Sequence, residues 1–199
     1  MTKGKIVIIS GPSGSGKTTL HKKLLLSNKL KDKLVKSVSA TTRPPRSGEK
    51  DGRDYLFLNA EQFLAKKRTG HFLECQKVFD NYYGTPKKAV EQLLKKGQNV
   101  LLCIDVKGAR TVARRYPDAI KIFIKVPSLT LLKKRLMSRG TETRNDLRLR
   151  LETARKEMRE ARHYNHTVIN NDLFRALKKL EILILKELQK IAGGRRPPN

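Results

Sequence analysis

Tryptophan is missing from this 199-residue chain, cysteine occurs only at Cys75 and Cys103, and aromatic residues make up 6% of it. Two thiols give no disulfide framework, so a stapled scaffold is excluded and a reducing, cytoplasmic setting is expected. No apolar run is long enough to span a bilayer, and the first residues, Met1 to Lys5, lead straight into an apolar segment. Neither a membrane anchor nor a signal peptide is therefore expected. Acidic residues are also scarce: 18 stand against 45 lysines and arginines, a formal charge of +27. Such a surface attracts anions. The basic residues are spread along the expected helices, however, and no aromatic-rich RNA-binding motif interleaves them. The expectation is a solvated basic surface, with no functional role in nucleic-acid binding.

What is present is more specific. The apolar run Ile6-Val7-Ile8-Ile9 ends in Gly11-Pro12-Ser13-Gly14-Ser15-Gly16-Lys17-Thr18-Thr19, and a helical pattern with Leu20, Leu24 and Leu25 follows. A strand, a glycine-rich loop carrying G-x-x-x-x-G-K-T and a helix form the context of a phosphate-binding P-loop. The glycines let the backbone turn so that its N–H groups face phosphate oxygens. The helix beginning near Gly16 adds its positive end. Lys17 is expected to reach the outer phosphates, and Thr18 to offer its hydroxyl to Mg²⁺.

At 38% hydrophobic the chain can build a core of one domain. Strands are expected at 5–9, 34–38, 99–104, 120–126 and 167–170, with helices at 17–30, 106–115, 129–138, about 144–162 and 172–191. This alternation implies a parallel sheet covered on both faces, with ligands beyond the carboxyl ends of its strands. Residues 41–97 break the pattern. A polar loop with Pro44-Pro45 leads to a short strand at 55–58. Asn59 caps a helix to about Lys67, with Gln62 in the capping-box position. An extended run at 71–79 precedes Thr85-Pro86, which opens a further helix with proline at its first position, ended by Gly97.

Two arginines three apart, Arg43 and Arg46, lie in the proline-stiffened loop and match phosphate oxygens bidentately. Tyr55, Glu74, Tyr83 and Thr85 follow. One carboxylate, several hydroxyls and two arginines suit a nucleoside monophosphate. Asp105 ends an apolar strand, where an acid holds the water shell of a magnesium ion. His163 and His166 lack further ligands at metal spacing and read as surface or packing residues.

The segments GPSGSGKTT, SVSATTRPPRSGEKDGRDY, FLE with NYYGT, IDVKGAR and RLMSRGTET together resemble the guanylate kinase family over most of the chain. The resemblance implies Mg²⁺-dependent transfer of phosphate from ATP to GMP, and to dGMP, giving ADP and GDP. It implies an α/β P-loop nucleoside-monophosphate kinase fold: a parallel-sheet core (1–36, 98–128, 163–192), an inserted mixed α/β GMP-binding lobe (37–97) and a helical lid (129–162), within one domain over 1–192 and before a disordered tail at 193–199. Gly11 to Thr19 would bind ATP, as would Asn170, at a position touching adenine. Arg43, Arg46, Tyr55 and Tyr83 would grip the GMP phosphate. Ser39, Glu74 and Thr85 would read guanine, and Glu49 and Asp105 join the acceptor site. Lys17, Arg43, Arg135, Arg139 and Arg150 would carry the catalysis, the last three from the lid. Thr18, and Asp105 through water, would hold the metal.

The chain departs from the family at Cys103, where an acid is usual; at Val106-Lys107, in place of Trp-Gln or Met-Gln; at Thr85, in place of Ser; and at Asn171, in place of Asp. These bear on rate and metal affinity more than on reaction type. Two alternatives stand beside the kinase reading. One is a non-catalytic module of the same fold that binds peptides, whose ATP machinery would have decayed; the P-loop and lid motifs here are intact. The other is a related kinase with a different phosphorylated acceptor, against which Glu74 with Ser39 argues.

Overall fold

The structure, a computed structural model, describes residues 3–78, 80–138 and 144–192. Arg139, the expected turn at 140–143 and the expected disordered tail at 193–199 lie outside the described residues. Five strands form an all-parallel sheet: β1 (Ile6–Ser10), β2 (Leu34–Lys36), β7 (Asn99–Cys103), β8 (Ile120–Lys125) and β9 (His166–Ile169), in the order β2-β7-β1-β8-β9. Successive side chains of a strand point to opposite faces, and in β1 both faces are buried. Val7 and Ile9 pack with Leu20 and Leu24 of α1 (Lys17–Leu26) and with Leu180 and Ile184 of α7 (Leu173–Ala192). Ile6 and Ile8 pack with Val90 and Leu94 of α3 (Lys87–Lys95) and with Ala109 and Val112 of α4 (Val106–Arg115). Two apolar layers therefore share one central strand, which explains the unbroken apolar run at 6–9.

The stretch that breaks the alternation carries a second, mixed sheet. Its strands are β3 (Ala40–Thr41), β4 (Leu56–Phe57), β5 (Phe72–Val78) and β6 (Asn81–Pro86), in the order β4-β3-β6-β5. The capping box forms as expected at the start of α2 (Ala60–Arg68). Asn59 Oδ1 accepts from the Gln62 N–H at 2.8 Å, and Gln62 Oε1 from the Asn59 N–H at 3.1 Å.

Two expectations need correction. The helix expected after Thr85-Pro86 forms, but Pro86 is its N-cap rather than its first residue, and Asn81–Pro86 before it is a strand, β6, paired antiparallel with β5. Tyr82, Tyr83 and Thr85 favour a pleated, half-buried surface, and the pairing runs on to Pro86, opposite Phe72, before α3 begins. The helix after the P-loop stops at Leu26 rather than Leu30. There the Ser27 hydroxyl donates to the Glu181 carboxylate of α7, and Leu30 turns back to bury completely against the core.

The remaining layer is helical. Ser128 caps α5 (Leu129–Met137) by accepting from the Leu131 N–H at 3.1 Å. Along α6 (Arg144–Arg159), Leu147, Leu151, Ala154 and Met158 recur at helical spacing and pack on Val126, Leu132 and Leu136. A short 3-10 turn, Glu160–His163, then leads to β9.

Candidate active site

The carboxyl ends of β1 and β7, the mixed sheet and α6 enclose a cleft of about 220 Å³. The P-loop forms one wall. Gly11, Gly14 and Gly16 all have positive φ (146°, 83° and 88°), and space is as restrictive as backbone angle. A Cβ on Gly11 would lie 2.3 Å from the Ile124 carbonyl oxygen, and one on Gly16 would lie 2.3 Å from Asn170 Nδ2. Gly16 caps α1 and has no side chain of its own to cover the helix's first N–H groups. Lys17 folds over the loop, and its Nζ donates to the carbonyls of Gly11 at 2.6 Å and Pro12 at 2.9 Å. Ser13, Thr18 and Thr19 line the cleft as well, while Pro12 and Ser15 are buried beneath.

Opposite lies a polar floor set by strand register. In the β5–β6 ladder Glu74 stands opposite Thr85, and the Thr85 hydroxyl donates to Glu74 Oε1 at 2.6 Å. Both residues are buried. The other carboxylate oxygen faces Gly108 of α4, where a Cβ would come within 2.5 Å of it. Asp105 caps α4, and its Oδ1 accepts from the Gly108 N–H at 2.6 Å. Burial pushes the Glu74 carboxyl up to about 7, against the opposing Thr85 hydrogen bond and with help from the Asp105 charge. Burial raises Asp105 too, opposed by the Gly108 N–H and by Lys17.

Ser39, Arg46, Tyr55 and Tyr83 line the cleft beside this floor. The Tyr55 and Tyr83 rings meet edge-on, with centroids 6.3 Å apart. Burial pushes the Tyr55 hydroxyl up to about 12, so it keeps its proton and stays a donor. Arg43 and Glu49 pair with each other at the edge of the cleft, where Arg43 also hydrogen-bonds to Tyr83. Arg43 Nη2 donates to Glu49 Oε2 at 2.8 Å and to Oε1 at 3.1 Å, and Glu49 also accepts from the Arg46 N–H at 2.9 Å. The Arg43 guanidinium sits over the Tyr55 ring, 5.4 Å from its centroid. Burial works against the Glu49 charge, but the Arg46 N–H and Arg43 outweigh it and hold the carboxyl below its usual value.

Asn170 lies behind the P-loop, buried, and its Nδ2 donates to the Ser15 carbonyl at 2.8 Å. Arg135 of α5 is half-buried and donates from Nη2 to the Asn170 carbonyl at 2.9 Å. Arg150 of α6 is half-buried. Cys103 ends β7 at the cleft wall, where burial pushes its thiol up against the pull of Lys17 and Lys36. It remains a neutral thiol at the position where an acid is usual.

Sequence reasoning missed six parts of this site: Gln76, Val78, Gly84, Ile104, Gly108 and Glu157. Glu157 had a readable signal. It lies three residues from buried Ala154 and seven from Arg150, so it flanks the apolar stripe of α6 on the same side as that arginine. Burial pushes its carboxyl up to about 7, against the attraction of Lys17.

Among the described residues, no cluster of three or more His, Cys, Asp or Glu side chains is arranged to hold a metal ion.

A parallel sheet with a lysine-bearing P-loop at its switch point, facing a second polar pocket, defines a P-loop nucleotide kinase. The family model described as guanylate kinase matches residues 3–187. A guanylate kinase of Clostridioides difficile is 42% identical over 190 residues, covering 96% of this chain and 91% of its own length. One from Rickettsia felis is 42% identical, covering 94% of this chain and 96% of its own. The crystal structure of guanylate kinase from Anaplasma phagocytophilum superimposes with a TM-score of 0.75 at 32% identity, over 94% of this chain and 87% of that one. The chain belongs to the guanylate kinase family.

Proposed function

We propose that this cleft transfers the γ-phosphoryl group of ATP to GMP, with Mg²⁺, giving ADP and GDP. One observation carries the choice of acceptor: a buried carboxylate, Glu74, is held by Thr85 in a pocket that ends at Gly108, across the cleft from the P-loop. Guanine offers N1–H and a 2-amino group to a carboxylate, while the Ser39 hydroxyl donates to O6. Adenine has no N1–H and carries an amino group in place of O6. It would leave buried polar groups unpaired, at about 1–3 kcal/mol each, and such sites discriminate strongly.

Arg46, Tyr55 and Tyr83 surround the acceptor phosphate, and Glu49 fixes Arg43 beside them. The P-loop N–H groups and Lys17 take the donor's phosphates. Asn170 stiffens the loop from behind. Thr18, and Asp105 through water, would hold magnesium, whose positive charge would offset that of the donor's outer phosphates. An oxygen of the acceptor phosphate, already ionised at neutral pH, bonds to the γ-phosphorus as the bond to the β–γ bridging oxygen breaks. The departing ADP keeps that electron pair, so no general base is required. Catalysis consists of alignment and charge stabilisation. Arg135, Arg139 and Arg150 would close on the transferring group and exclude water as the helical layer shuts. A cytoplasmic setting suits the two free cysteines.

The test is ADP formation from ATP and Mg²⁺ with GMP, dGMP, AMP, CMP and UMP as acceptors. GMP is expected to be the best of the five. Lys17→Ala is expected to lower kcat by about 10²–10³. Turnover no higher than that of Lys17→Ala, or a preference for AMP, overturns the reading.

A further inference from the structure

We propose that Glu157 is a specificity-determining residue that accepts a hydrogen bond from the 2′-hydroxyl of the acceptor nucleotide, reaching it from the α6 side of the cleft. The proposal rests on the reading of the cleft as a GMP site.

Glu157 is the member of α6 that lines this cleft, together with Lys17, Glu74 and Asp105. The charged groups acting on it are Lys17 and Lys107, which attract it, and Asp105, which repels it. Yet no hydrogen bond or ion pair joins it to any described residue. A carboxylate is an acceptor only. One that is half-buried and unmatched in the lining of a substrate cleft is placed to meet a donor that arrives with the ligand.

The ligand's own donors narrow the choice. On a guanine ribonucleotide they are N1–H, the 2-amino group and the two ribose hydroxyls. The base donors are taken by Glu74, enclosed under Gly108. The sugar bridges that floor and the phosphate position by Arg46, Tyr55 and Tyr83, so its hydroxyls remain for a group on the opposite wall. Of the charged groups, Lys17 acts on Glu157 most and Asp105 next, so it faces the cleft between the P-loop and the floor where Asp105 caps α4. The 2′ carbon adjoins the carbon that bears the base, whereas the 3′ carbon lies nearer the phosphate. Of the two ribose hydroxyls, the 2′-hydroxyl is therefore the one assigned to Glu157.

The experiment compares kcat/KM for GMP and dGMP in the wild type, Glu157→Gln and Glu157→Ala. Both substrates are measured on each preparation, so any loss of folded protein cancels in the ratio. The wild type is expected to favour GMP by about tenfold, the scale of one hydrogen bond to a charged group. Glu157→Gln keeps an uncharged acceptor and is expected to fall between the other two. Glu157→Ala is expected to bring the ratio close to one. A wild-type ratio near one, or a ratio unchanged in Glu157→Ala, overturns the proposal. GMP turnover by the wild type above the Lys17→Ala background tests the reaction itself, so the two readings fail separately.

Discussion

Gly108 and Glu74 meet at the base of the cleft: a Cβ on Gly108 would lie 2.5 Å from Glu74 Oε2 and 3.2 Å from Asp105 Oδ1. One methyl group would therefore press on both floor carboxylates. Gly108→Ala should favour the α4 helix locally, since alanine is the better helix former by about 1 kcal/mol. It should nonetheless raise KM for GMP by about 10–100-fold, with KM for ATP within a factor of two or three of wild type. Calorimetric titration with each nucleotide separately checks this. Equal loss for both would mean that the change spreads beyond the floor.

Glu74 ties recognition to pH. Its carboxyl is pushed up to about 7 in the folded chain by burial, from 4.5 when free. Between those values the folded state holds more protons than the unfolded one, so this group's contribution to stability falls as pH rises from about 4.5 to 7. Glu74→Gln should remove that slope and be more stable than wild type at pH 8, by up to about 3 kcal/mol. Thermal melts across this range give the comparison. GMP needs the ionised form, so KM for GMP should climb below pH 7 and the same variant should lose guanine preference.

The Arg43–Glu49 pair sets the loop that approaches the acceptor phosphate. Both side chains are mostly buried, at 11% and 13% exposure, and both Glu49 oxygens are used by Arg43. Glu49→Ala leaves the guanidinium without its partner and the Arg46 N–H without an acceptor. A loss of about 1–3 kcal/mol is expected, together with a several-fold rise in KM for GMP. Urea denaturation and steady-state kinetics read the two effects.

Asn170→Ala should act on the donor side. It removes the bond to the Ser15 carbonyl and opens space where Gly16 now sits against the amide. We expect a loss of about 1–3 kcal/mol and weaker ATP binding, with GMP binding little changed. Fluorescent ATP-analogue titration beside a GMP titration measures the contrast.

Much of this was legible in the sequence because it depends on neighbours along the chain. The Ile6–Ile9 run, the glycine spacing up to Lys17, the Asn59–Gln62 box and the Ser128 cap all speak through local geometry, and each forms as expected. The helix after Pro86 was legible within one residue, because proline before a helical pattern is a helix-start signal; the pairing of Asn81–Pro86 with β5 was not, because it is decided by a partner strand. Side-chain partners were harder still. Arg43 reads as a phosphate ligand from its type and spacing, but its contact with Glu49 depends on how the loop folds back. Glu157 looked like one charge among many on a polar helix. Its spacing from Ala154 on the apolar stripe was the signal that could have set it apart, once that stripe is seen to pack on α5.

The bond from Asn170 to Ser15 spans 155 positions. A chain leaving the ribosome makes the Ser15 end first and the Asn170 end among its last residues. Until β9 is added beside β8, the loop after β1 lacks the amide that braces it from below. Competence to hold a triphosphate is thus a late acquisition in synthesis, and fragments cut short before Asn170 should remain blind to ATP even though every residue of the glycine loop is already present.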